Sequence, residues 1–398
     1  MRVCLVTWGS RGDVEPMAAL GARVCELGGE ARLCAPPDFE ELANRAGVPL
    51  FPMGRPIREF LHGERPATPA DAPRTAANLI AMQFETVARA AEGCDVIVAS
   101  GLMPAGTRSI AEKLGIRYVC AMFHPGSIPA PHQKPLARPG IPFPPGETDI
   151  DVLWNIDAQR VNALYREPLN AHRAAIGLPP VDNVRDHVFT PTPWLAAEPI
   201  LAPWPGSPYF EVARTGAWIL PDTRPLPDDL HAFLDAGTPP VHVGMGSVRA
   251  PADFARMTIE AVRAASHRVI VNRGWAGLAP IDDGDDCFGI DEVNHQALFP
   301  RVAAVVHHGG AGTTTMAARA GVPQVVVAQF ADQPFWGARV AALGIGATHE
   351  GPTPVEGSLT AALMTALAPD TRTRAAAIAQ QIRTDGTTVA AQKLSAMG

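Results

Sequence analysis

The feature that most constrains the fold is an order of apolar run, glycine turn and amphipathic stretch that occurs twice along the chain. RVCLVTW (2–8) is an apolar run that stops at Gly9, and apolar residues then recur at helical spacing as far as Gly28. PPVHVGMGS (239–247) begins the same order again in the second half. Apolar runs are typical of parallel strands buried on both faces. Strands that alternate with helices predict a parallel α/β sheet in each half.

Further apolar runs continue the alternation on both sides of a proline-rich middle. They lie at 30–37, 48–53, 95–101, 116–124, 267–274, 287–293, 302–310 and 323–329. Asp38 and Glu41 are spaced as in a capping box, which predicts a helix start there. The segments 125–145 and 198–210 are rich in proline, which removes backbone donors and fixes φ, so neither is expected to form regular structure. A chain of 398 residues exceeds the usual size of one core, so two doubly wound domains are predicted.

Composition excludes several functional classes. The net charge is −7 and no basic block occurs, which argues against a nucleic-acid partner. No apolar run approaches the roughly 18 residues of a membrane span, and the N-terminus is too short for a signal peptide. The six cysteines show no C-x-x-C spacing, so we expect reduced thiols, no zinc site and a cytoplasmic location.

The glycine loops do not match the common nucleotide motifs. A dinucleotide fold needs G-x-G-x-x-G after the first strand and an acidic residue at the end of the second. Here the loop is GSRGD, and the second strand ends at Ala35 before two prolines. No G-x-x-x-x-G-K-[ST] is present. The sequence therefore argues against hydride transfer and against P-loop chemistry.

The strongest local signal is VVHHGGAGTT (305–314), where a buried strand runs into glycines and a helix follows. Glycine lets the backbone approach a ligand closely, and the first helical turn offers free N–H groups and the positive end of the dipole. A histidine and two hydroxyls add further donors, so the segment predicts a diphosphate site without lysine or metal. The candidate residues are His307, Gly309, Gly310, Gly312, Thr313 and Thr314.

A second polar pair, Asp332 and Gln333, follows the run at 323–329. A carboxylate acceptor beside an amide donor suits vicinal sugar hydroxyls or an amino group. A simple helix cap is the alternative interpretation, since Asp is a good N-cap.

With these motifs in view, the sequence resembles the glycosyltransferases of glycopeptide-antibiotic biosynthesis, the vancomycin, chloroeremomycin and teicoplanin group. The resemblance covers essentially the whole chain. It rests on GSRGDVEP, LCAPPDFEELANRAGVP, AEKLGI, TGAWILPD, VHVGMGS, RGWAGL, DDGDDCFGIDEVNHQALF and HHGGAGTT. It implies the GT-B fold, two Rossmann-like domains that face each other across a cleft. It also implies an inverting, metal-independent transfer from a dTDP-sugar to a hydroxyl of a crosslinked heptapeptide aglycone, with no cofactor besides that co-substrate.

The resemblance also implies roles for individual residues. Asp13 is expected to be the general base that takes the acceptor proton, and Asp332 is the second candidate for that role. Ser10, Arg11 and Gly12 line the same loop on the donor side. Ser247 is expected to cap a helix that faces the diphosphate, and the backbone of Val293 to pair with the thymine base.

The same resemblance divides the chain into regions. Residues 1–204 are expected to be the acceptor domain, 205–220 a linker, 221–380 the nucleotide-sugar domain and 381–398 a helix returning to the first domain. The acceptor is expected to lie against the loops 52–74 and 124–147, with Tyr118 or His132 nearby. A monomer or a weak dimer is expected.

Three alternatives remain open from the sequence. A transferase acting on a macrolide, polyketide or lipid shares every donor residue, and a nucleotide-sugar epimerase or hydrolase uses the same two-domain fold. A non-catalytic partner would be expected to have lost Asp13 or the phosphate loop, and both are present. A deoxyaminosugar of the vancosamine type is the expected donor sugar, with glucose and N-acetylglucosamine open. The acidic stretch 282–286 contains a D-x-D pattern that we interpret as a solvated turn.

Overall fold

The computed structural model describes residues 1–63, 68–136, 142–355 and 357–397, which form two compact units. The first unit comprises Met1–Pro199, Pro203–Leu220 and Arg383–Gly398. The second comprises Ile200–Ala202 and Pro221–Ile382. Each unit contains one parallel sheet, as the repeated alternation predicts.

The first unit is built on a seven-stranded parallel sheet. Its strands are β1 (Arg2–Val6), β2 (Glu30–Ala35), β3 (Leu50–Pro52), β4 (Val96–Ala99), β5 (Arg117–Met122), β6 (Trp194–Leu195) and β7 (Ala213–Arg214), in the spatial order β3-β2-β1-β4-β5-β6-β7. Order reverses beside β1, which pairs with both β2 and β4. In such sheets the loops that follow the strands at the reversal are where ligands bind.

Helices cover this sheet. They are α1 (Arg11–Glu26), α2 (Glu40–Arg45), α3 (Ile57–His62), α4 (Ala72–Ala90), α5 (Ala105–Leu114), α6 (Ile150–Ala175) and α7 (Val184–Val188), with short 3-10 turns at Pro37–Phe39, Pro69–Asp71 and Pro125–Ser127. The 26-residue helix α6 buries Leu153, Val161 and Leu169 at helical spacing. None of the sequence patterns above had predicted it.

The second unit has a six-stranded parallel sheet. Its strands are β8 (Val241–Gly244), β9 (Val269–Asn272), β10 (Cys287–Ile290), β11 (Ala304–His307), β12 (Gln324–Val326) and β13 (Gly346–Thr348), in the order β10-β9-β8-β11-β12-β13. Side chains alternate between two cores: Val243 and Val271 pack on one face, and Ile270 and Val305 on the other. This alternation is the pattern of a sheet buried on both sides.

The helices of the second unit are α8 (Asp228–Asp235), α9 (Phe254–Ala264), α10 (His295–Leu298), α11 (Ala311–Arg319), α12 (Gln333–Ala342), α13 (Ser358–Leu367) and α14 (Pro369–Ala379), with a 3-10 turn at Phe299–Arg301. The strand order of this sheet reverses between β8 and β11, which pair with each other. Within the described residues of both units, no helix combines the length and apolar character that a membrane crossing requires.

The last helix, α15 (Gly386–Ser395), belongs to the first unit. Thr388 accepts a hydrogen bond of 3.0 Å from Arg23 Nε of α1. Glu198 accepts one of 3.1 Å from the backbone N–H of Arg383. A side chain on Gly386 would collide with the backbone of Ala217, so the chain packs there at glycine distance.

Two expectations about local structure are corrected. Residues 205–220 do not form a free linker, because they lie in the first unit and supply β7, which pairs with β6. Asp38 does not cap α2, because two prolines start a 3-10 turn and α2 begins only at Glu40. Its carboxylate instead accepts from the backbone N–H groups of Ile57 and Arg58, at 2.6 and 3.1 Å, and so caps α3.

Candidate active site

In the second unit, strand β11 leads directly into the predicted phosphate loop. The strand ends at His307, and α11 begins at Ala311 with Gly310 as its N-cap. The first N–H groups of a helix have no intrahelical acceptor, and they carry the positive end of its dipole. A side chain built on Gly312 would meet nothing within 4 Å, so the start of α11 is open to an approaching group. These are the geometric features on which the predicted diphosphate site depends, and the site itself stays a prediction.

Two glycines in this loop are required by space. Gly309 has a φ of 87°, and a Cβ there would lie 2.6 Å from Val326 Cγ1. A Cβ on Gly310 would collide with the Nε2 atom of His308. Gly309 is therefore required by its backbone conformation, and a side chain at Gly310 would displace the His308 ring.

The prediction for His307 is wrong. Its side chain is 0% exposed, its Nε2 lies 3.0 Å from Gln324 Oε1, and its Nδ1 accepts from the Gly309 N–H at 3.1 Å. Burial lowers the pKa of His307 to about 3, so the ring is neutral. Both ring nitrogens serve the fold, because His307 is the last residue of the strand and points into the core.

His308 is a candidate site residue that the sequence analysis did not single out. It follows the strand, and its ring lies against Gly246 and Gly310. Its Nδ1 is buried with no partner among the described residues. Burial lowers the pKa of His308 to about 4, and the Asp332 carboxylate opposes that lowering, which places Asp332 nearby. Where a strand runs into His-His-Gly, the second histidine is the one that lies outside the strand. That position is the signal in the sequence that could have identified His308.

Thr314 is also corrected. It is 0% exposed, and its hydroxyl donates to the Gly310 carbonyl at 3.0 Å. Its own carbonyl accepts from Gln324 Nε2 at 3.3 Å. The Thr314 side chain therefore closes the first turn of α11 and is not offered to a ligand, whereas Thr313 is only partly buried.

Ser247 lies beside this loop but does not cap a helix. It sits in a turn closed by a 3.0 Å hydrogen bond from Val248 N–H to the Met245 carbonyl. The next helix, α9, begins at Phe254 with Asp253 as its N-cap. The predicted cap is therefore wrong, although Ser247 does follow the carboxyl end of β8.

Asp332 and Gln333 meet at the start of α12. Asp332 occupies the N-cap position, and its Oδ2 accepts a 2.6 Å hydrogen bond from Trp336 Nε1. Gln333 is 4% exposed, and its Oε1 accepts from the backbone N–H groups of Gln329 and Phe330, at 2.8 and 3.3 Å. The amide oxygen of Gln333 thus holds the preceding turn.

Val293 precedes α10 and is partly buried against one of the two cores. The next residue, Asn294, caps α10 by accepting from Ala297 N–H at 3.1 Å. Its amide nitrogen donates to the carbonyls of Asp222 and Arg224, at 2.9 and 2.8 Å. Asn294 therefore fixes the backbone immediately after Val293.

In the first unit, Asp13 is the third residue of α1 and forms the capping box that was predicted elsewhere. Its Oδ2 accepts from the Ser10 N–H at 2.9 Å, and a side chain on Gly9 would collide with the carboxylate. Arg11 Nε pairs with Glu15 Oε2 at 2.5 Å. Gly12 is exposed. The Asp13 carboxylate is held over the loop that follows β1, half-buried.

The two predicted acceptor residues differ in placement. Tyr118 pairs with Ile97, which pairs with Cys4 at the centre of β1, so Tyr118 lies within the sheet and not at its carboxyl edge. Its Oη is buried without a partner among the described residues, and burial raises its pKa well above the usual value. We do not retain Tyr118 as an acceptor contact.

His132 is exposed, and its ring centroid lies 4.9 Å from that of Trp204. Burial lowers the pKa of His132. The predicted acceptor loops are described only in part, because residues 64–67 and 137–141 lie outside the described ranges.

The acidic stretch 282–286 is closed by an arginine. Arg263 pairs with Asp282 and with Asp286, each at 2.7 Å. Among the residues that the structure describes, no group of three or more His, Cys, Asp or Glu side chains is placed to hold a metal ion.

Comparison with known proteins identifies relatives along the full chain. Residues 256–394 match the family described as erythromycin biosynthesis protein CIII-like, C-terminal domain. The chain is 53% identical to glycosyltransferase GtfE of Amycolatopsis orientalis over 100% of this chain and 97% of that protein. It is 51% identical to the vancomycin aglycone glucosyltransferase of the same organism, over 99% and 97%. Identity to its dTDP-epi-vancosaminyltransferase is 47%, over 95% and 93%.

Solved structures agree on the fold. A kitacinnamycin glycosyltransferase matches with a TM-score of 0.74 at 18% identity, over 99% of this chain and 98% of that one. The glycosyltransferase VinC, solved with dTDP, matches with a TM-score of 0.67 at 20% identity over 100% of both chains. The predicted GT-B fold class is confirmed. The whole-length identity shows more than the fold: the chain belongs to the glycopeptide glycosyltransferases of the vancomycin group.

Proposed function

We propose that this glycosyltransferase transfers a hexose from a dTDP-sugar to a hydroxyl of a crosslinked heptapeptide aglycone, with inversion and without a metal ion. The observation that carries the donor half is the loop 308–313, where a neutral histidine stands beside the open start of α11. The printed names of the relatives support the acceptor class, since one of them acts on the vancomycin aglycone.

The donor's diphosphate is the leaving group of the reaction. Negative charge develops on the diphosphate as it leaves. The backbone N–H groups of Ala311, Gly312 and Thr313 and one ring N–H of His308 donate hydrogen bonds to it. Donors that are fixed before the reaction need no reorganisation as charge develops, and this is where most rate enhancement arises. We place the thymine base against the backbone of Val293.

The sugar is oriented by the pair at the start of α12. Asp332 has one carboxylate oxygen tied to Trp336, so its other oxygen is the one that accepts from a sugar hydroxyl or amino group. The amide nitrogen of Gln333 donates to a neighbouring sugar oxygen. A carboxylate here also suits the amino group of a vancosamine-type sugar, whereas glucose offers only hydroxyls.

The acceptor hydroxyl attacks the anomeric carbon while the bond to the diphosphate oxygen breaks, and Asp13 takes the acceptor's proton. A carboxylate with an ordinary pKa near 3.9 is a weak base, so the proton leaves late, when the attacking oxygen is already acidic. The Ser10 N–H donates to one Asp13 oxygen and so fixes the orientation of the carboxylate. One displacement without a covalent intermediate inverts the anomeric configuration.

The test presents dTDP- and UDP-linked glucose, N-acetylglucosamine and vancosamine-type sugars with a heptapeptide aglycone, its glucosylated form and a macrolide aglycone. Mass spectrometry should show one added sugar on a heptapeptide acceptor with at least one dTDP-sugar. Transfer to the macrolide alone would overturn the acceptor assignment. Release of free sugar in the absence of acceptor, with no glycosylated product, would show a hydrolase. The macrolide arm is included because the matched C-terminal family takes its description from erythromycin biosynthesis.

A further inference from the structure

The turn between β12 and α12 contains a residue in a costly backbone conformation. Ala331 has a φ of 56°, in the left-handed region that glycine adopts freely and alanine does not. Of the four non-glycine residues with positive φ in the described ranges, two are Asp253 and Ser266, whose side chains carry polar groups. Ala331 has no polar side chain that could offset the conformation locally. Strain of this kind persists only where the surroundings over-determine it, and it concentrates at functional sites.

The surroundings here are supplied by Gln333. Its Oε1 accepts from two consecutive backbone N–H groups, those of Gln329 and Phe330, on the amino side of Ala331. Its own N–H donates to the Phe330 carbonyl at 3.3 Å. Gln329 is anchored in turn, because its side-chain nitrogen donates to the carbonyls of Val327 and Pro352, at 3.1 and 2.7 Å. The turn is therefore held by one residue, through the nearly buried side chain of Gln333 and through its backbone N–H.

Asp332 lies between the strained residue and its brace. The backbone torsions of Ala331 set the direction in which the chain enters Asp332, so a relaxed Ala331 would move the carboxylate. On the other side, Asp332 Oδ2 is tied to Trp336, which is 0% exposed and cannot follow a displaced carboxylate. The carboxylate can keep its bond to Trp336 only while Ala331 stays left-handed.

We propose that Gln333 is a positioning residue, whose amide oxygen holds Ala331 in the left-handed conformation and thereby aims the Asp332 carboxylate at the donor sugar. This role is separate from any hydrogen bond that the Gln333 nitrogen makes to the sugar. The inference rests on the proposed function for the direction of Asp332, but the brace itself is a property of the free protein.

The test compares four variants of the full chain: Gln333→Ala, Gln333→Glu, Ala331→Gly and the double variant Gln333→Ala with Ala331→Gly. Hydrogen exchange of the Gln329 and Phe330 amides, read by mass spectrometry or NMR on the free protein, reports the brace without any substrate. Gln333→Ala should lose this protection. Gln333→Glu should keep it, since a carboxylate oxygen accepts the same two bonds. Gln381→Ala is the control, because Gln381 is exposed and its side chain donates to the Ala377 carbonyl one turn earlier, far along the chain from the Ala331 turn.

The kinetic readout is a rescue. Gln333→Ala should lower kcat/KM for the dTDP-sugar, and the double variant should regain about tenfold, because glycine adopts the left-handed conformation without the brace and removes a strain of that order. Affinity for dTDP alone should stay within about twofold in all variants, since the proposed function places the sugar, and not the nucleotide, against this turn. If Gln333→Ala caused a general structural defect, the added substitution Ala331→Gly would not restore activity.

Two results would overturn the inference: unprotected Gln329 and Phe330 amides in the unmodified chain, or a double variant no more active than Gln333→Ala. Failure of the proposed function looks different. In that case the unmodified chain transfers no sugar to any heptapeptide acceptor, while the exchange measurement still gives its own answer about the brace.

Discussion

Each unit contains a strained turn after the carboxyl end of a parallel strand, and the two turns are held in different ways. In the first, the turn between β4 and α5 contains Met103 with a φ of 45°, and Gln83 of the distant helix α4 braces it. Gln83 Nε2 donates to the Met103 carbonyl at 3.0 Å, and its Oε1 accepts from Gly106 and Thr107 N–H at 2.9 and 3.3 Å. In the second unit, the brace of Ala331 comes from the first residue of the following helix, Gln333.

The first turn is therefore held by a tertiary contact, and the second by a contact within the turn. The Met103 turn can form only once α4 has packed, because its brace lies 20 residues earlier in the chain. The brace of the Ala331 turn is local, since the Gln333 acceptor, its two N–H donors and the strained residue fall within five residues. The residues nearby differ as well. Leu102, beside Met103, is 41% exposed and apolar, whereas Ala331 adjoins the carboxylate of Asp332. We interpret the first turn as part of the acceptor side and the second as part of the donor side.

The largest expected effect comes from comparing the carboxylates of Asp13, in the first unit, and Asp332, in the second. Asp13→Asn should lower kcat by about 100-fold or more, because it removes the general base, while Asp332→Asn should cost about tenfold as one lost sugar contact. Initial rates with saturating dTDP-sugar measure both, and Asp283→Asn, on an exposed residue of the acidic loop, is the control. A nearly active Asp13→Asn variant beside an inactive Asp332→Asn variant would move the base to the second unit.

Next in size is the stability contrast between the two braces. Gln83→Leu leaves two N–H groups and one carbonyl without their partner and should lower the free energy of unfolding of the first unit by about 3 kcal/mol. Gln333→Leu should cost the second unit about 1 kcal/mol, because the Gln329 and Phe330 N–H groups that lose their partner lie on a turn that is only partly buried. Hydrogen exchange in increasing urea follows the two units separately. Equal losses would show that the distance of the brace along the chain makes no difference.

A third contrast is acid sensitivity. The pKa of His307 is about 3 in the fold against an ordinary 6.5, so between these values the unfolded chain binds a proton that the folded one does not. The free energy of unfolding of the second unit should therefore fall as pH falls, by about 2 kcal/mol from this residue between pH 7 and pH 5. His307→Asn should flatten that dependence. An unchanged slope would show that the ring is not buried in its neutral form.

The smallest effect comes from glycine at the strained positions. Ala331→Gly should raise the free energy of unfolding by about 0.5 kcal/mol, because relief of the left-handed cost slightly exceeds the added entropy of the unfolded chain. Met103→Gly gains the same relief but loses a half-buried side chain, so its Tm should not rise. Calorimetry of the two variants decides the point, and a lower Tm for Ala331→Gly would contradict the assigned strain.

The sequence carried most of the fold because apolar runs and glycine turns mark buried strands directly. Strand β11 and its loop follow from VVHHGG alone. Helix α6 was missed since its signal lies beside a proline-rich stretch, and β7 was missed because a two-residue strand has no period to read.

Site residues were harder to predict where a shift of one residue along the chain separates a core side chain from one that could contact a ligand. His307 and His308 are identical in type, and only the end of the strand separates a core residue from one in the loop. Ser247 and Asp38 have good cap chemistry, yet hydrogen bonds made elsewhere in the fold determine which helix is capped. Gln83 could not be assigned at all, because its partners lie 20 or more residues away in sequence.

The return of α15 to the first unit has a consequence for biosynthesis. The ribosome makes Met1–Pro199 first, yet the segment that packs on α1 through Thr388 emerges only after all of the second unit. During translation one side of α1 therefore stays uncovered until α15 has been synthesised. The second unit is complete before that point. Nascent chains stalled before residue 383 should therefore be protease-sensitive in the half that was translated first.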